Sequence, residues 1–385
     1  VFTNSGLTGR QMQDKAKNML YDWFVTFRKE GFTEWNSSPY LPIDTLGFGS
    51  LYAFAQDPAM RELGREGMDF AYYLLAVHSQ QGIFASSSGR TYIKEQFGNW
   101  SNCPSGLSWI GYGYGVPGHA GKGITSYCLS DYEPPKEFAQ WFSIPRGKEM
   151  ICQTTQGNDG YVDLYTYKTA DYMMTSANDF HPGEPGHQEN PFQLTFNAVA
   201  QLWVTHPGER VLFGAARPSY WAGNGTLPKV NQYKAFAGLI YDIAPEHPVD
   251  FTHLYLPSME FDRCEVEGKW AFVQLGSAYA AVYCSNGMRM QDFGSNKDRE
   301  CIAEGRRCIW LVRAAQADEF AAFEDFKAAM RGAALDADAE GRRYRFVDPV
   351  YGELRCQWGE TLYVNDAPMQ YSGFDNYGKL TMQEK

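Results

Sequence analysis

Between Thr8 and Arg28, the apolar residues Met12, Ala16, Met19, Leu20, Trp23, Phe24 and Phe27 recur at steps of three and four, the spacing of an amphipathic helix. Two further helical runs follow, Ile43 to Ala55 and Pro58 to Ala76. The second opens with Asp57 as a cap and Pro58 at the first helical position, where a missing N–H is no loss. After His78 the texture changes. The stretch "SGLSWIGYGYGVPGHAGKG" (105–123) is so rich in chain breakers that it predicts a long connection without a helix. From about Glu149 the period shortens to two. "YVDLYTYKTADYMMTS", "FQLTFNAVAQLWVTH", "WAFVQLGSAYAAVYC" and "CIWLVRAA" carry Val, Tyr, Phe and Thr at strand spacing, separated by Gly, Pro and Asp turns. Strands in succession with no helix between them predict an antiparallel sandwich. One late helix, at about Asp318 to Ala334, interrupts before strands resume at "YRFVDP" and "GELRCQWGETLYVNDAPM". The expected fold is α+β and multidomain, with helical hairpins and a connecting loop over residues 1–130 and a large antiparallel β-sandwich over 145–385.

A chain of 385 residues exceeds what one hydrophobic core usually serves, in keeping with two domains. The 25 Tyr, 25 Phe and 10 Trp exceed the needs of core packing, and such an excess is common where sugars stack on rings, although sandwich cores are aromatic too. A net charge of −11 with no Lys/Arg run argues against nucleic acid as a partner. An anionic substrate stays open, because a cleft needs only a few cations and Arg65, Arg90, Lys94, Arg217, Lys229 and Lys234 are available. No apolar run approaches the roughly 20 residues that span a bilayer, so a membrane is not an expected partner. The start at Val1, with no signal region, reads as a mature or truncated product. The eight cysteines form no Cys-x-x-Cys pair, which supports neither a zinc ribbon nor a dense disulfide scaffold.

Two glycine-rich stretches are poor nucleotide sites. "GYGVPG" (113–118) follows no clear strand and opens no helix, and "GHAGKGI" (118–124) lacks the Ser/Thr that a P-loop needs after Gly-Lys. Of seven histidines, His181, His187 and His206 fall within 26 residues. With Glu184 or Glu189 they suit a divalent metal such as zinc or calcium, with His187 and His206 as donors, though their spacing matches no compact ligand motif. "EWNSSPY" (34–40) places Asn36 between two helices. Ser37 and Ser38 are natural caps there, and Asn-Ser-Ser is also a glycosylation pattern.

"EWNSSPY" in a helical hairpin, "SSGRTY" just after the helices, then "YKTADYMMTSANDFHPGEPGHQENPFQLTF", "VTHPGE" and "RPSYWAGNGTLPKVNQYK" together resemble the heparinase II/III-type polysaccharide lyases and their alginate-lyase relatives. The resemblance covers about residues 30–365 in order and texture. It implies a partial (α/α) toroid leading into the sandwich, with an Asn of the toroid, a Tyr a little over fifty residues later and a His of the sandwich meeting in a cleft. Asn36, Tyr92 and His187 take those places, and Asn36 to Tyr92 is 56 residues. Two departures stand out: Ser37 replaces a His common beside the amide, and "GHQEN" replaces a His-x-His-x-Asp pattern. His206 also stands where related chains tend to carry an Asp.

The chemistry implied is β-elimination at a 4-linked uronic acid. Asn36 would neutralise the carboxylate so that the C5 proton becomes acidic. Tyr92 would protonate the departing O4 and also serve as a candidate base, and His187 would act as base or second neutraliser. Arg90 gives a reason for Tyr92 to ionise easily. His78, Arg90, Glu189, Trp221 and Asn224 complete the expected substrate-binding set. The implied partner is an acidic polysaccharide or oligosaccharide, the implied location secreted or periplasmic, and no cofactor is required. About three helices are fewer than a toroid of helical hairpins needs, so a further N-terminal helical region, or a second copy of the chain, is expected to complete it. Two rival readings are a glycoside hydrolase using paired carboxyl groups from Glu34, Asp44, Glu95 and Glu189, and a non-catalytic glycan-binding protein.

Overall fold

The computed structural model describes residues 1–96, 102–117, 122–157 and 162–385. Gly118 and His119 of the glycine-rich stretches lie outside the described residues. Three long helices come first: α1 (Gly9–Glu30), α2 (Leu41–Phe54) and α3 (Pro58–Val77). Thr8 and Gln11 close a capping box at the start of α1, and Asp57 caps α3 by accepting from the Ala59 N–H, as its sequence predicts. α1 buries only Phe24 and Phe27. Their rings pack with Trp23 against Phe48 of α2. α3 is buried over most of its length. Its glycines set the spacing to α2, because a Cβ at Gly64 would meet the Tyr52 backbone nitrogen at 2.5 Å.

The 105–123 region departs from its sequence expectation. Ser105–Tyr112 folds as a two-turn helix ended by Gly113 in the left-handed conformation. Leu107 is fully buried there, and Gly111 admits the Tyr72 ring, so tertiary packing overrides a weak local preference.

All strands of the three larger sheets pair antiparallel. A nine-stranded sheet runs in the spatial order Arg289–Met290, Glu300–Glu304, Phe251–Tyr255, Gln201–Thr205, Phe192–Thr195, Met173–Asn178, Val162–Lys168, Lys148–Gln156, Lys379–Glu384. A six-stranded sheet, ordered Arg263–Glu267, Trp270–Leu275, Ala278–Cys284, Arg307–Gln316, Phe236–Asp242, Lys229–Tyr233, faces it across a shared core. Period two explains the layering: Leu202 and Val204 point into this core, while Trp203 points to the other face and packs with Trp221 and Tyr255. Hydrogen bonds tie the two sheets together, from Tyr241 Oη to the Val204 carbonyl (3.2 Å) and from Trp310 Nε1 to Thr252 Oγ1 (2.9 Å). The late helix is shorter than expected, Phe323–Gly332, and lays Phe326 on Tyr279 of the six-stranded sheet. A five-stranded sheet closes the end, with Phe346 stacked on Phe236.

The helices sit against the nine-stranded sheet, and Met150 and Cys152 join the helical core. Lys168 is the polar pin of that joint. Its buried ammonium donates to the carbonyls of Ala76, Ser79 and Trp141, thereby capping the C-terminal end of α3 with a cation. Burial lowers its pKa to about 7. No helix among the described residues is long and apolar enough to cross a membrane.

Candidate active site

Three segments distant in sequence run side by side where the helices meet the nine-stranded sheet. The Gly89 N–H donates to the Trp35 carbonyl (2.8 Å), and Asn36 Nδ2 donates to the Ser87 carbonyl (3.3 Å). Ser88 and Asn190 exchange backbone hydrogen bonds of 2.9 and 2.7 Å as an isolated antiparallel bridge. Thr91 then donates its N–H to the Gln188 carbonyl, and the Gln188 side chain returns a bond to the Thr91 carbonyl. Residues 34–40, 87–92 and 187–190 are thus drawn into one region, carrying Asn36, Tyr92 and His187 with them.

Arg90 organises the polar groups. Its guanidinium donates from Nη1 to Glu34 Oε1 (2.8 Å) and from Nη2 to Tyr92 Oη (3.2 Å), and it lies over the Tyr40 ring at 5.1 Å. Arg217 approaches the Tyr92 ring from a different loop, at 5.6 Å. Tyr40 also hydrogen-bonds to Tyr92. The bond from Arg90, then the bond from Tyr40 and the charges of Arg90 and Arg217 together hold the Tyr92 phenol below the usual tyrosine range. Tyr40 moves the opposite way, chiefly because of its bond to Tyr92. Tyr92 therefore ionises more readily than an ordinary tyrosine, and Tyr40 less readily.

Two clefts flank this pair. One, of about 490 Å³, is lined by Tyr92, Lys94, Gln188, Ala216, Arg217 and Ala222. The other, of about 480 Å³, is lined by Trp23, Phe27, Thr33, Glu34, Tyr40 and Asp44. Burial and the neighbouring Glu34 charge raise the Asp44 carboxyl to about 7. Both volumes lie in the range of small-molecule sites.

Asn36 is almost fully buried, at 1% exposure, and holds a left-handed backbone at φ 48°. Its oxygen is within 3.5 Å of Gln156 Nε2, and its side chain lines a polar cavity of about 10 Å³ with Ser38, Glu95, Asn190 and Gln193, room for a single water. Neither serine of the motif caps α2: the helix has no side-chain cap, Ser37 Oγ donates to the Arg90 carbonyl and Ser38 Oγ to Asn102. His187 is exposed beside the site, its backbone N–H donating to the Glu189 carboxylate.

The other expected residues lie apart. His78 is buried with Nδ1 against Thr166 Oγ1, and burial together with Lys168 lowers it to about 3, so it has no surface to offer a substrate. Trp221 is buried and stacked on His253 at 4.1 Å. Asn224 is a buried strut, accepting from the His206 N–H and Tyr241 Oη and donating to the Glu189 carbonyl. His206 is buried against the Val249 carbonyl and lowered to about 3 by burial and His247, far in character from the exposed His187. These two do not make a fitting donor pair, and among the described residues no three His, Cys, Asp or Glu side chains are grouped to hold a metal.

Sequence reasoning misses Tyr40 and names Arg217 only as one of six cations available to a cleft. Tyr40 closes the "EWNSSPY" motif itself, and its helical spacing of four to Asp44 was a readable signal. No protein-family model, curated protein or solved structure matches the chain.

Proposed function

We propose that this protein is a polysaccharide lyase that cleaves a uronic-acid-containing polysaccharide by β-elimination, with Tyr92 as the base. The observation that carries the reading is a partly exposed phenol made more acidic by Arg90, Tyr40 and Arg217 and set beside a cleft with two cations, Lys94 and Arg217. In elimination the C5 proton must leave while charge builds on the neighbouring carboxylate. A phenolate takes the proton, and fixed positive groups stabilise the charge where it appears. Arg217 is exposed, with no carboxylate partner among the described residues, and is suited to a substrate carboxylate. Asn36 acts in this scheme as a wall residue that fixes the 87–92 segment, and its remaining N–H is its only spare donor. His187 stands at the rim, available to a substrate hydroxyl or carboxylate.

The resemblance to heparinase II/III-type lyases supports the same reading, with α1 to α3 as part of an (α/α) toroid and the facing sheets as the sandwich. An extracellular or periplasmic location suits a polymeric substrate. The test is a panel of uronate polysaccharides followed by ultraviolet absorbance, with Tyr92→Phe alongside. Absorbance that rises with the wild type and not with the variant supports the reading. Reducing ends without absorbance would favour the hydrolase that Glu34 and Asp44 suggest, and binding without turnover would favour a glycan-binding protein.

A further inference from the structure

Resting on the lyase reading, we infer that Asp44 is the general acid that protonates the departing O4 oxygen, leaving Tyr92 to act as base alone. The placement comes first. Tyr40 and Asp44 are one helical turn apart at the start of α2, joined by the Asp44 N–H donating to the Tyr40 carbonyl (2.9 Å), so their side chains share a face. Tyr40 meets Tyr92 through its hydroxyl, and Tyr40 and Asp44 line one cleft together. One tyrosine therefore touches the base and shares a cleft wall with the acid.

The carboxyl is also available. Asp44 is only half-buried, and its carboxyl has no hydrogen-bond or ion-pair partner among the described residues. Glu34, by contrast, is tied to Arg90 at 2.8 Å, and Glu95 is buried beside Lys94. The groups facing Asp44 are few. From α1 the wall supplies Trp23, Thr26 and Phe27, none of which titrates, and from the 31–40 turn it supplies Glu34 and Tyr40. Among the described residues Glu34 is the charged group acting on Asp44, and its charge works with burial to keep the proton on, up to a pKa of about 7. Groups whose surroundings push them apart in this way, a tyrosine downward and a carboxyl upward, are the pattern of a matched base and acid.

The step balances. Tyr92 phenolate takes the C5 proton, the C5–H electron pair becomes the C4=C5 double bond, and the C4–O4 pair leaves with the oxygen. O4 receives the Asp44 proton, so the products are an unsaturated uronate and an alcohol with no water consumed. Tyr92, now protonated, and Asp44, now ionised, return to their starting states by exchange with solvent. The leaving sugar then sits in the Trp23-lined cleft, where a half-exposed indole offers it a stacking face.

The experiment compares wild type, Asp44→Asn and Asp44→Glu on a uronate substrate active with the wild type, across pH, together with a substrate whose O4 leaving group is a nitrophenol. Wild type gives a bell-shaped kcat/KM profile. In Asp44→Asn the falling alkaline limb disappears, whichever of the two groups titrates first, and the rate on the polysaccharide drops about 10²- to 10³-fold. The nitrophenol substrate, which leaves without a proton, restores Asp44→Asn to within a few-fold of wild type, and Asp44→Glu keeps the alkaline limb. A wild-type rate and bell in Asp44→Asn, or a loss that the nitrophenol substrate does not rescue, overturns the assignment while leaving the lyase reading intact. A wild type that gives no unsaturated product on any substrate overturns the lyase reading, and this assignment with it.

Discussion

Two clusters in this molecule are built from the same kinds of side chain and do opposite things. Around Tyr92, an arginine donates to the phenol and a second arginine lies over its ring, the residue is partly open, and the phenol becomes more acidic. Around Glu300, the phenol of Tyr220 is itself the donor, at 2.6 Å to the carboxylate, and burial drives it far upward. His253 Nδ1 shares that carboxylate oxygen at 2.6 Å, Asn296 takes the other oxygen at 2.8 Å, and His253 and Glu300 are essentially without exposure. Burial lowers His253, so a neutral imidazole donates to an ionised Glu300. The difference lies in hydrogen-bond direction and access to water. A tyrosine that accepts from a cation at the edge of a cleft is poised for proton transfer, whereas one that donates to a buried anion is a structural tie.

The comparison can be broken by substitution. Tyr92→Phe removes the proposed base and is expected to lower kcat by about 10²- to 10⁴-fold with an unchanged melting temperature, read from paired kinetics and thermal unfolding. A comparable loss of stability instead would make Tyr92 a second structural tie. Glu300→Ala strands the buried His253 and Tyr220 and leaves the half-buried Asn296 without its acceptor, and chemical denaturation should show a loss of about 3–5 kcal/mol, with kcat per folded molecule unaltered. Lys168→Met leaves three carbonyls at the helix–sheet joint without a donor and should remove about 1–3 kcal/mol by the same measurement.

Two smaller effects sharpen the contrast through pH. Arg90→Gln takes away the principal bond holding the phenol down, so in the Asp44→Asn background, where Tyr92 alone sets the rising limb of the rate profile, that limb should move to higher pH. Buried neutral histidines act on stability with a definite sign. His78 and His206 have folded values of about 3 against 6.5, and His253 is also lowered. Between those limits the unfolded chain binds protons that the folded chain does not, so stability falls as pH drops below about 6.5, by at most about 1.4 kcal/mol per pH unit for each such imidazole. Denaturant midpoints from pH 7 to pH 4 give the slope, and a flat profile would mean these imidazoles are protonated in the fold.

Much of the fold was legible because it rests on periodicity. The steps of three and four from Met12 to Phe27 and the Asp57-Pro58 start marked α1 and α3, and the alternation around Leu202, Trp203 and Val204 marked strands with two different faces. The Ser105–Tyr112 helix was not legible, because what holds it is the buried Leu107 and the approach of the Tyr72 ring to Gly111. The candidate site was legible only in part. Residue types marked Asn36, Arg90, Tyr92 and His187, but the Ser88–Asn190 bridge that joins their segments is a single pairing outside any strand and leaves no periodic trace. Nor does composition reveal burial: His78, Trp221 and Asn224 read as substrate contacts, and the fold uses them inside.

The most direct measurement of the central claim follows turnover of a uronate polysaccharide in isotopically labelled water, with the products weighed by mass spectrometry. Elimination with Tyr92 as base predicts an unsaturated terminus carrying no oxygen from solvent, a product absent with Tyr92→Phe. Solvent oxygen at the newly formed reducing end, with no unsaturated sugar, would contradict it.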